Sequence, residues 1–293
     1  MSGNLGQKVA ENLIFVGEFL LVVFLCFFVA YVIEKRVQRR QRQRERILNT
    51  RKMAMIGLFS AVAAVLMMFE VPVPFAPPFY KIDLSELPIL ILSFAYGPVA
   101  GVMAEFVKIL LKLVFKSTST AFVGELANFA VGCALVLPAG IFYLEKKTKR
   151  QAFVACALGV ICMTVFGSFF NAVYLLPKFA ELYGMPLDTI VQMGSKVNPR
   201  IVSVETMALY AVAPLNFLKG GIDMLLTVLL YKRLSHVLKE QEGRRLAWRQ
   251  HTACSRGRKK SGSVRSRKRP EYCAPAVWSP SRRRRSTGSA AMR

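Results

Sequence analysis

Between residues 152 and 176 the chain runs for 25 positions without a charge. As a helix that stretch is about 37 Å long, more than the roughly 30 Å hydrocarbon thickness of a bilayer. A backbone in lipid must satisfy its own hydrogen bonds, which leaves helices or closed barrels. A continuous apolar run with no two-residue alternation selects the helix. Six further segments read the same way: 13–33 (one charge, Glu18), 53–69, 83–96, 99–115, 122–144 and 206–231. The expectation is an all-α integral membrane protein, a six-helix bundle plus one extra N-terminal transmembrane helix. The segment from Asp83 to Tyr96 is short, about 21 Å of helix.

Charge orders these segments. The net charge is +24, concentrated in two places. Residues 35–52 hold nine Lys/Arg against Glu45, and residues 243–293 hold 16 against Glu271. Basic segments stay on the cytoplasmic side. With 35–52 inside, the turn at Gly97-Pro98, the stretch 146–150 and the tail all fall inside. The N-terminus, the loop near residue 75, 116–121 and 177–203 fall outside. A signal peptide at 13–33 is disfavoured by the length of the run and the dense basic segment behind it. The divisions are 1–34, the extra helix; 35–52, a basic cytoplasmic connector open to anionic lipid; 53–239, the membrane domain; and 240–293, a basic tail whose composition reads as disordered.

Residues 70–78 carry four prolines, Pro72, Pro74, Pro77 and Pro78, and cannot be helical. With Phe75 and Phe79 the segment reads as a stiff external loop, either a lid over a site or a plain connector. Gly57 with Ala61, and Ser60 with Ala64, set small residues on helical stripes where another helix, internal or from a second protein, approaches closely. Glu105 and Lys108 share a helix face and read as a structural pair. The six cysteines lack metal-ligand spacing and read as reduced.

The most expensive groups are ionisable ones at membrane depth, and these mark candidate sites. Asn216, Lys219 and Asp223 fall at i, i+3 and i+7 on one face of the last helix, beside Gly220 and Gly221. Two readings stand: a binding face, or a lysine neutralised by Asp223 that only holds helices together. Asp83, Glu125 and Asn171 lie in the same outer half, and Asn128 follows Glu125 by three residues. No P-loop, no H-E-x-x-H and no CxxC is present, and both histidines, His236 and His251, lie at or beyond the last span. A pocket without an engine suggests a binding subunit that borrows its energy.

Taken in order, Lys81-Ile-Asp-Leu-Ser-Glu-Leu-Pro88, Phe94-Ala-Tyr-Gly-Pro-Val-Ala-Gly101, Gly124-Glu-Leu-Ala-Asn-Phe129, Phe170-Asn171 and Asn216-Phe-Leu-Lys-Gly220 resemble the riboflavin-binding S components of energy-coupling-factor (ECF) vitamin transporters, over residues 51–239. The resemblance implies six helices, an externally facing pocket and a first loop that closes over it. It implies Asn171, Asn216 and Lys219 as substrate ligands. It also implies docking of the first bundle helix, here through Gly57, Ala61, Ser60 and Ala64, to a transmembrane coupling subunit served by two ABC-type ATPases. Chemistry agrees. An amide carries both donor and acceptor for the pyrimidine-dione edge of a flavin, and a lysine donates to a carbonyl. Phe75 and Phe79 suit its ring. Asp83, Glu125 and Asn128 are candidates for the ribityl hydroxyls.

The reading is therefore a non-enzymatic, multi-pass plasma-membrane subunit that captures riboflavin outside and delivers it inside. Riboflavin is its substrate, no cofactor is expected, and no nucleic acid is a partner. The alternatives are an S component for another vitamin or precursor, and a membrane scaffold recruiting partners through its basic tail.

Overall fold

A computed structural model describes residues 13–41, 47–77, 79–116, 122–145 and 147–230. The basic tail and the middle of the connector lie outside these residues. The described chain is a helical bundle, and five of its helices are long and apolar enough to cross a membrane. Helix α1 covers Leu13–Arg40, so it runs without a break past the expected end of the extra span into the basic connector. Helix α2, Thr50–Met68, starts where Asn49 accepts the Lys52 backbone N–H through its side chain.

The loop that follows is a small hairpin. Strands β1 (Val71–Pro72) and β2 (Lys81–Ile82) pair antiparallel, with Val71 opposite Ile82. Pro72 is tolerated because a two-stranded ribbon has free outer edges.

Helix α3, Glu86–Tyr96, has 11 residues, shorter than the segment expected from Asp83. The backbone turns before it: Asp83 Oδ1 accepts from the Ser85 N–H at 2.9 Å, so Asp83 lies outside the helix. At about 16 Å this helix is shorter than the roughly 30 Å hydrocarbon thickness of a bilayer. The sequence of α3 is nonetheless almost entirely apolar, and the fold resolves this by burying it: Ile89, Leu90 and Leu92 are fully enclosed, and α3 packs against α2, α4 and α5. Gly97 then takes φ +101, a conformation that favours glycine, and Pro98 opens α4, Pro98–Phe115.

Helices α5, Val123–Glu145, and α6, which begins as Lys149–Phe170, form a close pair. At Gly159 a Cβ would come within 2.7 Å of the Leu135 carbonyl oxygen. Beyond Phe170 the structure departs from the expected loop at 177–203. Helix α6 widens into a π-turn at Asn171–Leu175 and continues as Leu176–Tyr183. Leu176 N–H bonds back to Asn171 O, and this wider turn brings Pro177, which has no N–H, into the helix without a break. A short helix α7, Leu187–Ser195, follows. Helix α8 spans Val204–Leu230, with a second π-turn at Ala208–Val212.

Outward faces stay apolar, with Phe24 and Phe28 on α1, Ile161, Val165 and Phe169 on α6, and Phe217, Leu225 and Leu229 on α8 all exposed. Such a belt is stable against lipid and costly against water.

The extra helix α1 packs on α4 and α5 and is pinned near each end by a carboxylate. Glu18 accepts a hydrogen bond from Tyr174 of α6. Glu34, buried, accepts from the Val99 N–H at 3.1 Å, with Lys52 Nζ 3.9 Å away. The first turn of α4 has Gly97 as its own N-cap, which offers no side chain, so the cap comes from another helix. A Cβ at Gly97 would sit 2.7 Å from the Glu34 carboxylate. Lys52 is buried too and donates to Ile47 O and Tyr96 O. The last residue of the basic connector is thus part of the bundle.

Candidate functional site

A cavity of about 440 Å³ opens at the hairpin end of the bundle, between the hairpin, α5, α6, α7 and α8. Its polar groups come from separate elements. Asn171 stands at the start of the α6 π-turn and lines the cavity from there. Asn216 and Lys219 line it from α8, Glu125 and Asn128 from the first turns of α5, and Asp83 and Phe79 from the hairpin side. Met163, Leu175 and Leu215 supply apolar wall.

Local contacts hold these groups. Asn216 is buried because α6 offers Gly167 opposite it, where a Cβ would land on the Asn216 amide nitrogen. Asn171 Oδ1 accepts from the Tyr80 hydroxyl at 2.5 Å. Burial pushes the Tyr80 phenol up, further than its bond to Asn171 pulls it down, so it remains a donor. Asn128 Nδ2 is engaged by the Gly124 carbonyl at 3.1 Å. Phe79 is 43% exposed at the mouth, its ring centroid 4.6 Å from that of Tyr80.

Phe75 does not line the cavity. It packs in an apolar seam with Ala76, Ile190 and Ile201 that fastens the hairpin to α7 and the start of α8. The small-residue stripes of α2 also divide. Ser60 and Ala64 face the core, and the Ser60 hydroxyl donates to Ala104 O at 3.2 Å; Gly57 and Ala61 face outward.

Lys219 does not pair with Asp223. Its ammonium lies 3.2 Å from Asp83 Oδ2 and 3.3 Å from Glu86 Oε1. Glu86 also holds Lys108 at 3.1 Å, and Lys108 meets Glu105 at 2.6 Å. Asp83, Lys219, Glu86, Lys108 and Glu105 therefore alternate in sign, the first two lining the cavity, and join the end of the hairpin to α3, α4 and α8. The i, i+4 spacing on α8 pointed to Asp223. The partners actually used come from 133 and 136 residues earlier, a separation that no local pattern reports.

Sequence reasoning missed Tyr80 and a cluster at the mouth. There Glu70 lies 2.8 Å from Lys81, 3.9 Å from Lys112 and 3.8 Å from Lys116. An aromatic directly after Phe79 was the available signal for Tyr80. Among the described residues no group of His, Cys, Asp or Glu is arranged to hold a metal ion.

A multi-pass membrane bundle with a mostly apolar cavity, two converging amides and a buried lysine beside them defines a small-molecule binding protein. The family model for "ECF transporter, substrate-specific component" matches residues 51–231, and the chain belongs to that family. It is 32% identical over 198 residues to the riboflavin transporter RibU of Staphylococcus aureus (strain TCH60), covering 68% of this chain and 97% of that protein. It is 26% identical over 195 residues to the riboflavin transporter FmnP of Bacillus subtilis (strain 168), covering 66% and 97%. A solved structure described as "Structure and mechanism of the S component of a bacterial ECF transporter" superposes with TM-score 0.51 at 32% identity, covering 64% of this chain and 98% of that one. The matched family region begins at α2.

Proposed function

We propose that this substrate-specific component binds riboflavin in the cavity at the hairpin end, takes it from outside the cell and releases it inside. The observation that carries the reading is the convergence of Asn171, Asn216 and Lys219, from two helices, on one cavity of about 440 Å³. That volume lies within the roughly 300–1,000 Å³ usual for small-molecule sites. The names of the similar transporters support the choice of vitamin. The amides match the alternating carbonyl and N–H groups of the pyrimidine-dione edge, Lys219 donates to a carbonyl, and the apolar wall takes the ring system. Glu125, Asn128 and Asp83 serve the ribityl hydroxyls. The excess positive charge of Lys219 is already offset by Asp83 and Glu86, which suits an uncharged ligand.

In this reading the hairpin end faces outward, with the N-terminus outside and the C-terminus inside. The basic residues at 35–52 and 146–150 favour that orientation. Energy comes from a transmembrane coupling subunit and two ABC-type ATPases. The outward-facing Gly57 and Ala61 of α2 offer the coupling subunit a close approach, while α1 occupies the α4/α5 side of the bundle.

The experiment is direct. The full chain is purified in detergent from cells grown in rich medium, and its visible absorption and its quenching of added flavin are recorded. A stoichiometric yellow chromophore, or quenching that saturates at one flavin per chain, is expected. A colourless protein that does not quench riboflavin refutes the vitamin assignment.

A further inference from the structure

Four acids and two lysines are buried at the cavity wall and in the adjoining core: Asp83, Glu86, Glu105 and Asp223 with Lys108 and Lys219. One of them stands apart. Asp223 is fully buried, and neither of its carboxyl oxygens has a hydrogen-bond or ion-pair partner among the described residues, whereas Glu105, also without a hydrogen bond, keeps its ion pair with Lys108. A buried polar group without a partner is rare and calls for an explanation. Helix α8 itself suggests one. Asp223 lies one turn beyond Lys219, side chains four apart on a helix are neighbours, and a helical side chain leans toward the N-terminus, here toward the lysine. The lysine ammonium rides on a flexible four-carbon stem. It now bonds Asp83, which directly follows strand β2 of the hairpin, and Glu86, which belongs to the core helix α3.

We propose that Asp223 is a second seat for the Lys219 ammonium, taken when the hairpin lifts and takes Asp83 with it, so that the lysine is drawn from the cavity and its hold on the substrate is lost.

This rests on the transport reading for its purpose, though not for its geometry. The hairpin is the weakest-held wall of the site. Its strands pair over two residues each, too few to be stable alone. Its remaining ties are side-chain contacts, notably Tyr80 to Asn171 and the seam around Phe75. When it leaves, Lys219 loses Asp83 and keeps Glu86, which is shared with Lys108. A lysine left short of a partner at that depth is costly, and Asp223 removes the cost. Lys219 lines the cavity and Asp223 does not, so the exchange withdraws a donor from the ligand. Asp223 is a positioning residue acting through Lys219.

Two measurements on the full chain in detergent test it. Asp223→Asn removes the competing seat, so riboflavin should dissociate about fivefold or more slowly by stopped-flow flavin fluorescence, and Asp223→Glu should restore the rate. A purely structural Asp223 predicts unchanged or faster dissociation. The second measurement needs no ligand. Thermal unfolding of Asp83→Asn, Asp223→Asn and the double variant should be non-additive, the double variant losing more in melting temperature than the two single losses together, because either acid can serve the lysine when the other is gone. Unchanged or faster release in Asp223→Asn, or additive losses in the cycle, overturns the proposal. If the unaltered chain binds no riboflavin, the vitamin assignment falls, and the ligand-free cycle still decides the second seat.

Discussion

Replacing Lys108 by Met tests the charge chain where it is most deeply enclosed. Lys108 is fully buried, with Glu86 at 3.1 Å, Glu105 at 2.6 Å and the Ser85 hydroxyl at 3.3 Å. Met keeps most of the stem volume and removes the ammonium. Glu86 retains Lys219, but Glu105 loses its one ion-pair partner among the described residues. Breaking a buried pair by deleting one member costs about 3–5 kcal/mol. At roughly 2–4 °C per kcal/mol for a bundle of this size, the melting temperature should fall by roughly 6–20 °C. The matched control is Lys108→Met combined with Glu105→Met. An apolar replacement of the whole pair is often neutral or better, so the double variant should recover most of the loss. Differential scanning fluorimetry in detergent reads both. A loss below about 1 kcal/mol in Lys108→Met, or a double variant no better than the single, refutes the view that these charges depend on one another.

Three other outcomes follow from the geometry. Asn171→Ala and Asn216→Ala should each weaken riboflavin binding tenfold or more in a quenching titration, since a lost buried hydrogen bond costs about 1–3 kcal/mol; unchanged affinity in both refutes the site. Gly167→Ala should weaken binding to a similar degree by driving its methyl group into the Asn216 amide, and an unaffected Kd would show that the amide has room to move. Glu34→Ala should cost about 0.5–2 kcal/mol of thermal stability, the range for losing a helix cap, with Glu34→Gln intermediate because its carbonyl still accepts from Val99. No change in either variant would reduce α1 to a lipid anchor.

Each group read correctly or incorrectly from the sequence traces to the range of the interaction behind it. Membrane character was legible because it is a property of contiguous residues: 25 uncharged positions can do little else than enter apolar surroundings. Asn171, Asn216 and Lys219 were legible as polar groups in costly places, and Asn216 and Lys219 also through helical spacing. The loop at 177–203 was misread because Pro177 signals a break unless the preceding turn widens, and a π-turn has no sharp sequence signature. Phe75 and Phe79 look alike in sequence and separate only in three dimensions, one into the seam under the hairpin and one to the mouth of the cavity.

By itself, then, the sequence determined that the chain is helical, that it belongs in a membrane, and which few polar residues must find company there. Those conclusions rest on transfer free energies and helix periodicity, which act within a span. The tertiary structure decided which company they keep. Lys219 pairs with Asp83 and Glu86 and leaves Asp223 unpaired, Glu34 of the extra helix caps α4, and Gly167 admits Asn216. Each of these is a contact between elements far apart in the chain, chosen by how whole helices pack, and packing is a property that no single segment carries.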